Sequence, residues 1–156
     1  MKELELLGNE KLLEKPKVGF LASRHVASEE VLKCYDWATK QTEGQQCVVS
    51  GFSSKIEQDV LHFLLKGKCP VIMVLARRMY AKLPKEWRDA INEGRMLIVS
   101  TSQSARQSQQ TSATRNHYVA EISDTIYLAG ITERSSLQGI IQEYPNKCVV
   151  MREYAV

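Results

Sequence analysis

Between Cys47 and Lys66 the sequence passes from a short apolar run (Cys47, Val48, Val49) through Ser50-Gly51-Phe52-Ser53 into an amphipathic helix. A strand that stops at a small-residue turn and opens directly into a helix is an anion-binding arrangement. The helix N-terminus presents unpaired backbone N–H groups and a partial positive charge, and glycine lets a ligand approach the backbone. Other segments carry groups of matching chemistry. Ser23-Arg24 follows one apolar run and Arg77-Arg78 follows another. From Arg95 to Ala120 there is no Asp or Glu, whereas Arg95, Arg106, Arg115 and His117 are present. Arginine grips phosphate bidentately and backbone N–H groups cradle its oxygens, so convergence of these loops would make a phosphate site.

Groups able to do more than bind are few. Glu57 has the chemistry of a general base or of a ribose-hydroxyl acceptor, but it lies three residues after Ser54, the spacing of a capping box. His25 and His117 fall in strand-end loops, where ligand contact competes with a plain surface role. His62 falls within a helix. The three histidines have no metal-ligand spacing, so no metal and no cofactor is expected. No Gly-x-Ser-x-Gly elbow, Walker loop or Gly-x-Gly-x-x-Gly fingerprint occurs, and Ser50 has no evident His–Asp partnership. Cys34, Cys47, Cys69 and Cys148 form no Cys-x-x-Cys pair; they read as reduced, mostly buried thiols of a cytoplasmic protein.

The elements that must position these groups follow from the apolar runs. Lys17–Ala22, Cys47–Val49, Pro70–Ala76, Met96–Val99, Asp124–Ile131 and Lys147–Met151 are nearly continuous apolar stretches, as expected of strands covered on both faces. Helical spacing joins them. Ser28 is placed as a cap, with Val31, Cys34, Tyr35 and Ala38 on one face. Ile56, Val60, Phe63 and Leu64 form the stripe of the next helix, which Gly67 ends. Pro84 opens a helix carrying Trp87, Ala90 and Ile91, stopped by Gly94. Helices are also expected over 115–122 and 133–143. Residues 4–7 read as a short strand or helical turn within a lead-in of 1–16, and 100–114 as a long polar, mobile loop. The pattern predicts a single α/β domain over 1–156: a three-layer, Rossmann-like fold with a mostly parallel sheet and helices on both faces. Ligands of such folds sit at the carboxyl ends of the strands.

Composition agrees with a globular protein. The 156 residues are 44% hydrophobic and 25% charged, with a net charge of +3, too small by itself to imply nucleic acid. No apolar run approaches the roughly 18 residues of a membrane span. Acidic residues among the first leucines do not fit a signal peptide.

The chain resembles the Rossmann-like domain of the DNA-processing protein A family (DprA/Smf), in a superfamily that also holds the lysine-decarboxylase-like (LOG) nucleotide hydrolases. The residues that carry the likeness occur in family order. Leu6-Leu7-Gly8-Asn9 with Leu12-Leu13 is similar to the family's lead-in. Val18 to Arg24 is similar to its first strand, which ends in Gly-Ser/Thr-Arg. Val48 to Ser53 is similar to its Ser-Gly-x-Ala-x-Gly-Ile-Asp turn, although Ser54-Lys55-Ile56-Glu57 replaces the end of that motif. Arg115-Asn116-His117 stands where the family carries Arg-Asn-Arg before a helix, and Glu133 to Gly139 stands at its final phosphate-side loop, with Ser135-Ser136 in place of Ser-Gly.

The resemblance implies a positive pocket for single-stranded DNA or a phosphorylated nucleotide, and a homodimer. The site expected from residues and resemblance together comprises Ser23, Arg24, Ser50, Gly51, Phe52, Ser53, Arg77, Arg115, Asn116, Gly130, Ser135 and Ser136, with Glu57 as the one catalytic candidate. Phe52 and Tyr80 are the candidates for stacking on bases. The LOG signature Pro-Gly-Gly-x-Gly-Thr-x-x-Glu is absent, and the length leaves no room for the flanking domains of recombinase-loading members. The expected function is therefore a stand-alone, non-catalytic binding module. The alternatives are a nucleotide N-glycosidic-bond hydrolase and a small-nucleotide sensor.

Overall fold

The computed structural model describes residues 4–44 and 46–154. Seven strands alternate with five helices. They are β1 (Glu5–Gly8), β2 (Lys17–Ala22), α1 (Ser28–Gly44), β3 (Cys47–Ser50), α2 (Lys55–Lys66), β4 (Val71–Leu75), α3 (Lys85–Asn92), β5 (Met96–Ser100), α4 (Gln109–Ile122), β6 (Thr125–Ala129), α5 (Gln138–Glu143) and β7 (Cys148–Val150). They form one sheet in the order β1-β5-β4-β3-β2-β6-β7, parallel except for β1, which runs antiparallel to β5.

The period-two alternation of strand side chains divides the apolar residues into two cores. Val18, Phe20, Val48, Val71, Met73 and Ile98 pack with Trp37 of α1, Leu64 of α2 and Ala90 of α3. Leu21, Val49, Ile72, Val74, Val99 and Leu128 pack with Val119 of α4 and Ile140 of α5 on the other face. Every residue of β3, β4 and β5 is buried. Each such aliphatic side chain contributes about 1.5–3 kcal/mol relative to exposure. This is the expected three-layer Rossmann-like α/β fold.

Local boundaries differ from expectation in four places. The polar stretch 100–114 is not all loop: Ser108 caps α4, its side chain accepting from the Thr111 N–H while Thr111 answers in return, so the helix starts at Gln109. Arg115, expected as the first residue of a helix over 115–122, therefore lies in the middle of α4. The last helix is shorter than 133–143, because Gly130 takes φ +73° and the chain turns until Leu137. Ser28 is the first residue of α1, not its cap, and the Ala27 carbonyl accepts from Val31. The segment expected over 4–7 forms a strand, shifted by one residue to Glu5–Gly8 and clasped by Asn9, whose N–H reaches the Met96 carbonyl at 3.1 Å and whose side chain reaches the Gly94 carbonyl at 2.8 Å. Residues 1–3 of the lead-in lie outside the described residues.

Candidate functional site

From the adjacent strands β2 and β6 the chain departs in opposite directions, toward β3 on one side and β7 on the other. A crevice must open outside the carboxyl ends of such a pair. It is present as a cleft of about 1150 Å³. Its walls are Ala22 to His25 after β2, the Gly130–Leu137 loop after β6, the start of α2, and Ser112, Arg115 and Asn116 of α4.

Glu57 governs the α2 wall. Its Oε1 accepts from the backbone N–H groups of Ser53 (2.8 Å) and Ser54 (3.2 Å), and its Oε2 accepts from Ala22 N–H at the end of β2 (2.9 Å). The expected capping box with Ser54 is present. The carboxylate thus ties β2 to the first turn of α2 and is only 5% exposed. An internal anion satisfies the N–H groups that an incoming phosphate would use there. A second carboxylate does the same across the crevice: Glu30 of α1, also buried, accepts from Gly130 N–H at 3.1 Å. The Oε1 of Glu30 has no hydrogen-bond partner among the described residues.

Arg115 stands opposite Glu57. Its side chain is 5% exposed and lies over Gly51, where any Cβ would collide with the guanidinium. Gly51 therefore serves the close approach of this arginine to the β3 turn. The Arg115 Nε donates to Asn116 Oδ1 at 2.8 Å and Nη1 lies 3.4 Å from the Val74 carbonyl. Burial lowers the guanidinium pKa and the charge of Glu57 partly offsets this. No salt bridge reaches Arg115 among the described residues. The remaining cations of the cleft are exposed Arg24 and Arg134.

The expected site residues divide into three groups. Ser23, Arg24, Ser53, Arg115, Asn116, Gly130, Ser135 and Ser136 all line the large cleft, with Ser23 Oγ 3.0 Å from Ser135 Oγ. Gly51, Phe52 and Arg77 instead line a second cleft of about 470 Å³ between α2 and α3, which shares Ser53 and Arg115 with the first. Ser50 lines neither: it is fully buried, and its Oγ accepts from Phe52 N–H at 3.1 Å. Phe52 itself is 5% exposed and belongs to the core on the α1–α2 face. His117 sits on α4 with Nδ1 3.1 Å from Glu143 of α5, at the rim of the large cleft. Residue-level reasoning missed Arg134 and Ser112, which carried no motif, and Trp87, whose helical spacing marked it only as core.

The cysteines are free; Cys34, Cys47 and Cys69 are buried, and burial pushes their pKa up to about 12. Among the described residues no cluster of His, Cys, Asp or Glu has the geometry of a metal site, and no helix is long and apolar enough to cross a membrane.

The fold is that of a Rossmann-like protein, with a cleft at the β2/β6 switch point. The profile of the DNA recombination-mediator protein A family matches residues 3–142, and the chain belongs to that family. Among solved structures it is similar to the DNA processing protein A of Helicobacter pylori, described for its single-stranded DNA binding mode (TM-score 0.73, 21% identity, covering 94% of this chain and 70% of that one). It is similar also to the DprA of Streptococcus pneumoniae (TM-score 0.74, 19% identity, covering 94% of this chain and 53% of that one). A molybdenum cofactor binding protein of Rippkaea orientalis shares the fold more distantly (TM-score 0.58, 14% identity, 87% and 76% of the two chains). No curated protein matches the sequence.

Proposed function

We propose that the switch-point cleft binds the phosphates of single-stranded DNA, with Arg115 at its centre and Arg24 and Arg134 at its rim. The observation that carries this reading is the burial of Arg115. A guanidinium 95% removed from solvent with no ion-pair partner among the described residues is costly, and an anion entering the cleft offsets that cost. Ser23, Ser112, Asn116, Ser135 and Ser136 supply neutral hydrogen-bonding groups around it. The function is binding without catalysis. Both oxygens of Glu57 are held by backbone N–H groups, so the one carboxylate considered for hydrolysis of an N-glycosidic bond serves as a structural clamp. The protein works in the cytoplasm, where its unpaired cysteines stay reduced, and as a homodimer, which light scattering at working concentration checks.

The test is retention of a single-stranded oligonucleotide over a salt series. Affinity should fall linearly on a log–log plot as counterions are displaced. Arg115→Met should weaken binding by at least about tenfold, as expected for loss of a charge-assisted phosphate contact, while leaving the fold intact. Salt-independent retention, or an Arg115→Met variant that binds like the wild type, would sink the reading.

A further inference from the structure

Resting on the phosphate reading above, we infer that the smaller cleft between α2 and α3 is a stacking subsite for an unpaired nucleobase of the same strand. The cleft has the composition such a subsite requires. Tyr80 of the loop after β4 and Trp87 of α3 lie with ring centroids 5.9 Å apart, and both line the cavity while only partly buried. The Arg77 guanidinium stands 4.2 Å from the Tyr80 ring centroid, held by its Nε donating to the Arg78 carbonyl at 2.8 Å. Stacked aromatic and guanidinium planes are the sequence-tolerant means by which proteins hold unpaired bases. Leu61, Leu65, Met73 and Leu75 provide the apolar floor, and Gln58 offers both donor and acceptor to a base edge. At about 470 Å³ the cavity is in the size range of small-ligand pockets.

Continuity decides the occupant. Ser53, Gln107 and Arg115 border both clefts, and the Gln107 side-chain amide donates to Ser53 Oγ at 3.1 Å along that shared boundary. Arg115 is the buried cation common to both. A nucleotide joins an anion to a flat aromatic ring through a short sugar. A phosphate on Arg115 therefore has an aromatic-lined cavity on the far side of the same guanidinium. The two cations lining the smaller cleft, Arg77 and Arg115, face one carboxylate, Glu86, which stands 3.9 Å from His62 Nδ1 at an exposed position. That balance suits a polyanionic strand over a cationic or neutral guest.

The experiment compares a short oligothymidylate with an abasic strand of the same phosphate count. The wild type should bind oligothymidylate roughly 5- to 160-fold more tightly, the scale of one stacked base. Tyr80→Ala should close that gap without changing affinity for the abasic strand or the salt slope, and Tyr80→Phe should keep it. Trp87 emission should be quenched by oligothymidylate and not by the abasic strand; the other tryptophan, Trp37, is fully buried and stays constant. Emission of the unmutated protein keeps the test decisive if Tyr80→Ala folds poorly. Equal affinity for both strands, with Trp87 emission unmoved, overturns the base subsite and leaves the phosphate reading standing. Failure to bind either strand overturns both. Equal quenching by free thymidine at matched concentration overturns the claim that one strand occupies both clefts.

Discussion

Replacing Glu57 by Gln tests the central clamp of the cleft. The carboxylate receives three backbone N–H groups, from Ala22, Ser53 and Ser54, on two oxygens. The amide has one acceptor oxygen. Whichever way it is turned, its NH₂ faces at least one of those donors. One hydrogen bond to a charged acceptor, worth about 1.5–3 kcal/mol, is lost, and a buried donor is orphaned at a further cost of about 1–3 kcal/mol. Partial relaxation toward the cleft leaves a net destabilisation of about 3 kcal/mol. For a chain of this size each kcal/mol moves Tm by about 2–4 °C, so Glu57→Gln should melt roughly 6–12 °C lower by circular dichroism, with a matching fall in the urea midpoint. Binding should move the other way. The variant frees the Ala22 N–H at the cleft edge of β2 and removes the negative charge facing Arg115, so oligonucleotide affinity rises. A Glu57→Gln protein that melts within about 1 °C of the wild type would refute the clamp. One that melts lower but binds more weakly would refute the electrostatic part of the argument.

Two further outcomes follow from single contacts. Gly130 has φ +73°, and a Cβ there would lie 2.6 Å from the His25 carbonyl, so Gly130→Ala should lose at least about 1–2 kcal/mol from left-handed strain alone; it should also expose the loop after β2 to limited proteolysis. Asp59 of α2 accepts from Tyr35 Oη at 2.8 Å and from Lys55 Nζ at 2.6 Å. Burial acts to raise the Asp59 pKa, but these hydrogen bonds outweigh it and hold the group below its ordinary value. A folded-state pKa below the unfolded one gives stability that is present above about pH 4 and is lost as pH falls through the folded value. Because Lys55 is 79% exposed, the effect is small, about 0.5–1 kcal/mol. Thermal melts should show Asp59→Asn less stable than wild type at pH 7, with the gap closing in acid.

The fold was legible in the sequence because strands covered on both faces leave unbroken apolar runs, and six such runs separated by helical spacing admit few architectures. The capping box was legible too, since Ser54 and Glu57 are local partners. The third contact of Glu57 was not, because Ala22 is 35 residues away and only the β2–β3 pairing brings it near. The start of α4 was hidden for a different reason. Residues 109–114 contain one apolar side chain, and the helix buries Arg115 beside Val119 and Ala120. An arginine at a core position breaks the periodicity by which a helix is recognised. Glu30 misled similarly: a carboxylate in the first turn of α1 satisfies the helix dipole in solvent equally well, and its burial against Gly130 is a tertiary fact.

The placement of β6 beside β2 bears on how the molecule assembles. Strands β2 to β5 can add outward one after another through neighbouring crossovers, but β6 must return across the whole growing sheet to pair Val18 with Thr125 and Ala22 with Ala129. Closing a loop of about a hundred residues carries a large entropic penalty, and contacts of such sequence separation slow folding. The crevice exists only once that seam has closed. Its lining residues from β2, α2, α4 and the Gly130 loop come together only when this long-range pairing forms, so an anion held across them would tie together segments about a hundred residues apart in the chain.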